Sequence, residues 1–206
     1  MAGFAALSET LGKLGPSGEE RIEGILNDCF GATLRAVAAH GGDVLNFAGD
    51  ALTAVFPVGP TRDLDGATAA AVAAALQAHQ GIDALEAVEG QRLQLRIGIA
   101  AGIGARFDVG GVDDRWHHVA AGAVVDDLLV AAHIAKRGET VLTPTAARHV
   151  ITACQLEPTA QGHARVLEVK PQPTVAPAAP QTPHPQLAAW LRSYTVDEAL
   201  TSLEKG

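Results

Sequence analysis

The stretch HGGDVLNFAGDALTAVF, residues 40–56, decides how the chain is read. Two apolar runs, 44–48 and 52–56, are too short for helices and are bounded by glycine, so they read as the strands of a hairpin. Gly49 and Asp50 form its tip. On residue type alone Asp50 needs no function, because glycine and aspartate both tolerate the positive φ of a two-residue turn. A carboxylate at a hairpin tip is also placed to hold a metal ion, and both readings stand at this point. Asp43, which follows Gly41-Gly42 at a helix-to-strand junction, reads as a turn residue.

Upstream, residues 3–14 read as a short helix. A long helix then opens at Ser17, a candidate N-cap with Glu20 three residues on, as in a capping box. Its apolar positions Ile22, Ile25, Leu26, Cys29, Phe30, Thr33 and Val37 keep helical spacing until Gly41-Gly42 stops it. Downstream, the alanine-rich residues 65–78 are expected to be helical and 93–101 (LQLRIGIAA) a buried strand. Residues 102–116 hold four glycines and read as a loop or an irregular hairpin, followed by a short strand at 117–121. A helix over 123–136, a strand in ETVLTP, one or two helical turns at 145–150 and a polar hairpin over 155–169 complete the series. Helices and strands in this order predict an α+β sandwich with a largely antiparallel sheet.

At Pro171 the composition changes. PQPTVAPAAPQTPHP cannot build a packed core, so residues 171–186 read as an extended linker after a domain of residues 1–170. Residues 187–206 keep a weak helical period, a segment to dock on the domain or lead to a further one.

Apolar residues make up 48% of the 206, ample for a core. Aromatics are few and alanines many, so helices are expected to pack closely on small side chains. A net charge of -8 with no polybasic block argues against a nucleic-acid or anionic-membrane surface. Cys29 and Cys154 lack metal-ligand or CxxC spacing and read as buried free thiols of a reducing compartment. No signal peptide is read at the N-terminus, and no apolar run nears the roughly 18 residues a span requires, so a cytoplasmic setting is expected.

Five segments then fall into a larger pattern. GGDVLNFAGDALTAVFP, LRIGIAAG, a glycine-rich stretch, WHHVAAGAVVDDLLVAAHIA and GETVLTP occur in the order and rough spacing of the class III nucleotide cyclase catalytic domain. The chain most resembles the first cyclase domain of soluble, bicarbonate-responsive adenylyl cyclases and their bacterial relatives, over residues 3–169. The resemblance implies a ferredoxin-like class III cyclase fold, a largely antiparallel sheet with helices packed on it. It also implies two divalent cations, Mg2+ or Mn2+, held on the triphosphate by two aspartates. Asp50 matches the second aspartate. The first, with the strand that carries it, falls ahead of Met1, so the fold is expected to lack its first strand.

The same resemblance supplies the remaining site candidates. Phe4 and Ala5 stand where backbone amides cradle phosphates, and Arg96 where an arginine reaches them; on its own Arg96 reads equally as a solvated strand-end charge. Asn46 replaces the base-reading lysine, with Phe47 and Gly49 beside it in the same motif, and His117 takes the position of the second base reader. The pair His117-His118 lacks partners at metal spacing and reads as strand residues near a cleft. Asp126 and Val130 replace the asparagine and arginine that stabilise the transition state, and neither neutralises charge on a transferring phosphoryl group.

Such decay fits a dimeric enzyme with its site between two cyclase folds, one half carrying the metal aspartates and the other the base readers, asparagine and arginine. The expectation is therefore the metal-side half of an adenylyl cyclase: it takes ATP, needs a second cyclase domain, and is inactive alone. The rival reading, from a different class, is a cyclase-homology module that only dimerises and regulates; a third is a plain ferredoxin-like scaffold with another ligand. The family's bicarbonate lysine and arginine correspond to Asn46 and Leu129, so no bicarbonate stimulation through this half is expected.

Overall fold

The computed structural model describes residues 1–85, 88, 90, 92–112 and 115–170, with the backbone alone at 112 and 115–118. The expected linker, 171–186, and the segment 187–206 lie outside the described residues. Among the described residues, no helix is long and apolar enough to cross a membrane.

Helix α1 (Phe4–Gly12) is followed by the long α2 (Pro16–Ala39). The capping box expected at Ser17 does not form. Gly15, at φ 66°, takes the N-cap position and Pro16 the first helical one. Proline there loses no hydrogen bond, since a first-turn N–H has no intrahelical partner, and the helix starts earlier than the serine suggested. The hairpin follows as β1 (Asp43–Ala48) and β2 (Ala51–Val55), paired from Asp43↔Val55 to Ala48↔Ala51 with one irregularity between Val44 and Asn46.

Helix α3 (Leu64–Asp83) begins at a true cap, where Asp63 Oδ1 accepts from the Gly66 amide at 2.8 Å. It outruns the expected 65–78 because Gly81 lets it lie against α2. A Cβ at Gly81 would already sit 3.1 Å from the Ala32 Cβ. Alanines on both helices make that contact: Ala32 and Ala36 pack with Ala78, Ile82, Leu95 and Cys29.

Strand β3 (Ile97–Ile99) is shorter than the nine residues expected, because its ladders are short. Three residues pair in parallel with β6 (Thr140–Leu142), and upstream Gln94 forms a single antiparallel bridge to Ala2. Residues 102–116 resolve in favour of the irregular hairpin. Strands β4 (Ala105–Val112) and β5 (Arg115–Ala121) pair from Ala105↔Ala121 outward, with a register shift beyond Gly110. Helix α4 (Ala123–Ile134) returns the chain to β6, and α5 (Pro144–Val150) is capped by Thr143. The terminal hairpin is β7 (Cys154–Pro158) and β8 (Ala164–Val169).

Strand order β3-β6-β8-β7 makes a four-stranded sheet, antiparallel except for β3/β6, while the β1–β2 and β4–β5 hairpins are separate two-stranded sheets. Between the first hairpin and β3 the N-terminal residues form the link, Met1 on the Asp50 carbonyl and Ala2 bridged to Gln94. Side chains alternate across the sheet, so it is covered on both faces. Leu142 and Ile99 meet Val72 and Ala75 of α3 and Ala146 and Val150 of α5. Val141 points the other way, to Ala131 of α4 and Ala135 at its C-cap. Gly98, beside Val141, brings β3 against α4: a Cβ there would lie 2.4 Å from the Ala132 nitrogen. The expected α+β layering of helices on a largely antiparallel sheet is the one observed.

Candidate functional site

The β1–β2 turn itself does not call for an aspartate at position 50. Gly49 has φ 60°, whereas Asp50 is not among the residues with positive φ. Glycine alone supplies the special backbone conformation, so the turn does not require aspartate at the second position. The Asp50 side chain is half-buried, and its Oδ2 lies 2.6 Å from the α-amino nitrogen of Met1, which also donates to the Asp50 carbonyl at 3.1 Å. The carboxylate thus already holds a cationic group.

Met1 and Ala2 tie that turn to the rest of the candidate site. Ala2 donates to the Gln94 carbonyl at 2.8 Å, and α1 starts two residues later, at Phe4. Gly3 takes φ 94° at the helix N-cap, and no side chain caps α1, so the Phe4 and Ala5 amides open the helix without a side-chain acceptor. Arg96 lies two residues beyond Gln94, exposed, with no hydrogen-bond or ion-pair partner among the described residues. The structure therefore gathers Asp50, the first turn of α1 and the Arg96 segment along one short path.

The other candidates lie elsewhere. Asn46 and Phe47 are successive in β1 and face opposite ways. Phe47, 54% exposed, sets its ring edge-to-face against Phe30 of α2, with centroids 5.2 Å apart. Asn46 faces the second hairpin across a hollow of about 190 Å3, which Thr53 and Arg106 also line. Arg106 is not among the candidates the sequence offers. Its signal is present all the same: Ala105, Phe107 and Val109 alternate with Arg106 and Asp108, a strand period hidden among glycines. His117 pairs with Val109 through the backbone, and its side chain is outside the described set.

Asp126 and Val130 occupy the exposed side of α4, beside Leu129 at 62% exposure. Gly98 fixes their helix against β3, because only a residue without Cβ lets the α4 backbone approach so closely. Cys29 and Cys154 are buried, and burial pushes both thiols up, as inert structural cysteines require. Among the described residues, no three His, Cys, Asp or Glu side chains converge, so Asp50 is a single hard-oxygen donor. That donor suits one position of a magnesium octahedron whose other ligands are phosphate oxygens and water.

Mouse adenylate cyclase type 10 (Mus musculus) is 32% identical to this chain over 146 residues, 70% of the chain and 9% of that protein. The human protein (Homo sapiens) is 31% identical over the same length. This is a class III nucleotide cyclase domain. The cyclase domain spans about a tenth of the length of these curated relatives. Its fold is also that of the guanylyl cyclase Cya2, with TM-score 0.67 and 21% identity over 86% of this chain and 93% of that one. The adenylyl cyclase CyaB of P. aeruginosa is as similar in shape, with TM-score 0.67 and 17% identity over 82% and 90% of the two chains. No protein-family model matches the cyclase domain.

Proposed function

We propose that this domain is the metal-side half of an adenylyl cyclase, which converts ATP to cyclic AMP and pyrophosphate at an interface with a second cyclase-fold domain. The supporting observation is the β1–β2 turn: Gly49 alone meets its backbone requirement, yet a half-buried carboxylate occupies the next position and holds a cationic group at 2.6 Å. A divalent ion bound there, magnesium or manganese, neutralises charge on the triphosphate. Asp50 contributes one hard oxygen ligand, the Phe4 and Ala5 amides offer donors to phosphate oxygens at a helix N-terminus, and the Arg96 guanidinium supplies a charge-assisted contact. Asn46, Phe47, Gly49 and His117 take the remaining nucleotide-facing positions that the family resemblance assigns.

Asp126 and Val130 offer neither an amide donor nor a cation, so the groups that stabilise the transition state come from the partner. The rival reading, a domain that dimerises and regulates without chemistry, is favoured by the apolar, exposed side of α4 at Leu129 and Val130. Titration calorimetry separates the two. Magnesium alone should bind weakly, a nucleoside triphosphate should strengthen that binding, and Asp50→Ala should remove the gain. Equal nucleotide-dependent binding in the variant would defeat the metal role of Asp50 and leave the regulatory reading.

A further inference from the structure

Among the described residues, the β4–β5 hairpin is a two-stranded sheet of its own. Phe107 and Val109 alternate with Arg106 and Asp108, so the two apolar residues share one face, and Val119 pairs with Phe107 across the ladder. Arg106 belongs to the opposite face and lines the hollow against β1, which Val119 also touches. Phe107 is 50% exposed, Val109 47% and Val119 41%, and Ile103, just ahead of β4, is 96% exposed. Ala105 and Ala121, paired at the open end of the same ladder, are exposed too. One exposed apolar side chain needs no explanation, but a contiguous row of them does. A two-stranded hairpin is marginally stable in water unless a further strand or a helix packs on its apolar face.

The sequence beyond Lys170 carries a matching stripe. Leu187, Trp190, Leu191 and Tyr194 keep the i, i+3, i+4, i+7 spacing of a helix that presents one apolar side to a surface. In a chain with two tryptophans and one tyrosine, Trp190 and Tyr194 fall together in this short segment, and these are the residue types that anchor interfaces. Reach is no obstacle. A proline-rich stretch as long as residues 171–186 spans up to roughly 50 Å, whereas a domain of this size is roughly 40 Å across. We propose that residues 187–194 form two helical turns that dock, within the same chain, on the apolar face of β4–β5 around Phe107, Val109 and Val119. Tethering holds the segment at an effective concentration on the order of 1 mM, so an intrinsic Kd of about 0.1 mM keeps it docked about nine-tenths of the time. The contact uses neither Asp50 nor a nucleotide, so it stands or falls apart from the cyclase reading.

The experiment reads tryptophan fluorescence from the full chain carrying Trp116→Phe, which leaves Trp190 as the one tryptophan. Its emission should lie to the blue of the same protein in urea and stay there on dilution. Phe107→Asp, at an exposed strand position, should move the emission to the unfolded wavelength and leave the circular dichroism spectrum unchanged. Leu191→Asp lies beyond the domain of residues 1–170, so it tests the contact without touching the fold. It should speed amide hydrogen exchange over residues 105–111 by about tenfold, the factor by which docking holds the hairpin closed. A Trp190 that emits as in urea overturns the proposal and leaves the face to a separate partner domain. A blue shift that fades on dilution overturns it in favour of a second copy. Emission that survives Phe107→Asp, or exchange that Leu191→Asp leaves unchanged, overturns it as well.

Discussion

Two glycine-to-alanine substitutions, chemically identical, should move stability in opposite directions. At Gly98 a new Cβ would lie 2.4 Å from the Ala132 nitrogen, 2.7 Å from the Leu128 oxygen and 2.9 Å from the Ala132 Cα. All three atoms are α4 backbone, so no side chain can turn aside; the helix or β3 must move. Overpacking costs typically about 1–3 kcal/mol, and a contact with helix backbone that cannot turn aside belongs in the upper half of that range. For a domain of this size each kcal/mol shifts Tm by about 2–4 °C, so Gly98→Ala should lower it by about 4–12 °C. Gly24 is exposed inside α2, and a Cβ added there would meet no atom within 4 Å. There alanine removes the entropy cost of a helical glycine and should add about 0.5–1 kcal/mol. Thermal unfolding by circular dichroism, with urea midpoints at unchanged slope as a second reading, measures both. A Gly98→Ala protein that melts within about 1 °C of the parent, or above Gly24→Ala, would refute the close approach of β3 to α4.

The remaining predictions concern proton binding and catalysis. Burial holds the His79 imidazole below its ordinary value, against the pull of Asp83, while its Nε2 lies 3.0 Å from Thr140 Oγ1. Its contribution is complete above the unfolded value of about 6.5 and is lost as pH falls through the lower folded value; His79→Gln should flatten that acid limb of the Tm–pH curve, and an unaltered limb would remove His79 as its cause. Cyclic AMP assays with manganese or magnesium should find this chain inactive alone and active with a cyclase-fold domain carrying the asparagine and arginine, each such donor being worth on the order of 10²-fold. Strong activity from the isolated chain would defeat the half-site reading.

Local chemistry makes much of the fold legible. Glycine-bounded apolar runs locate the first hairpin, and helical spacing locates α2 and α4. Sequence and structure part where distant partners decide. A capping box at Ser17 is locally sound, but Gly15 and Pro16 start α2 first. A nine-residue stretch read as one strand yields a three-residue strand because β6 offers only three partners in register. The glycines of β4 suggest broken structure, whereas Gly110 and Gly111 take positive φ at the irregular end of a long ladder and leave its alternation intact. Gly98 shows a deeper limit. Its neighbours in RIGI read as a strand, but the need for glycine comes from the α4 backbone, some thirty residues away in sequence.

The candidate site divides in the same way. Asp50 is visible as an acid at a hairpin tip, but residue type leaves it suspended between punctuation and chemistry. Backbone angles remove the turn as a reason for aspartate, because Gly49 alone takes positive φ; the metal role of Asp50 remains a proposal. Arg106 and Asn46 stand sixty positions apart, and only the meeting of two hairpins makes them neighbours of one hollow. Asp126 and Val130 oppose charge stabilisation in this chain, yet they sit on the exposed side of α4, where a partner would dock. A catalytic set divided across an interface leaves each half with features that look defective in isolation. In a metal-side half, Asp126 and Val130 face no reacting phosphate, so their side chains are free to change without cost to the chemistry at Asp50.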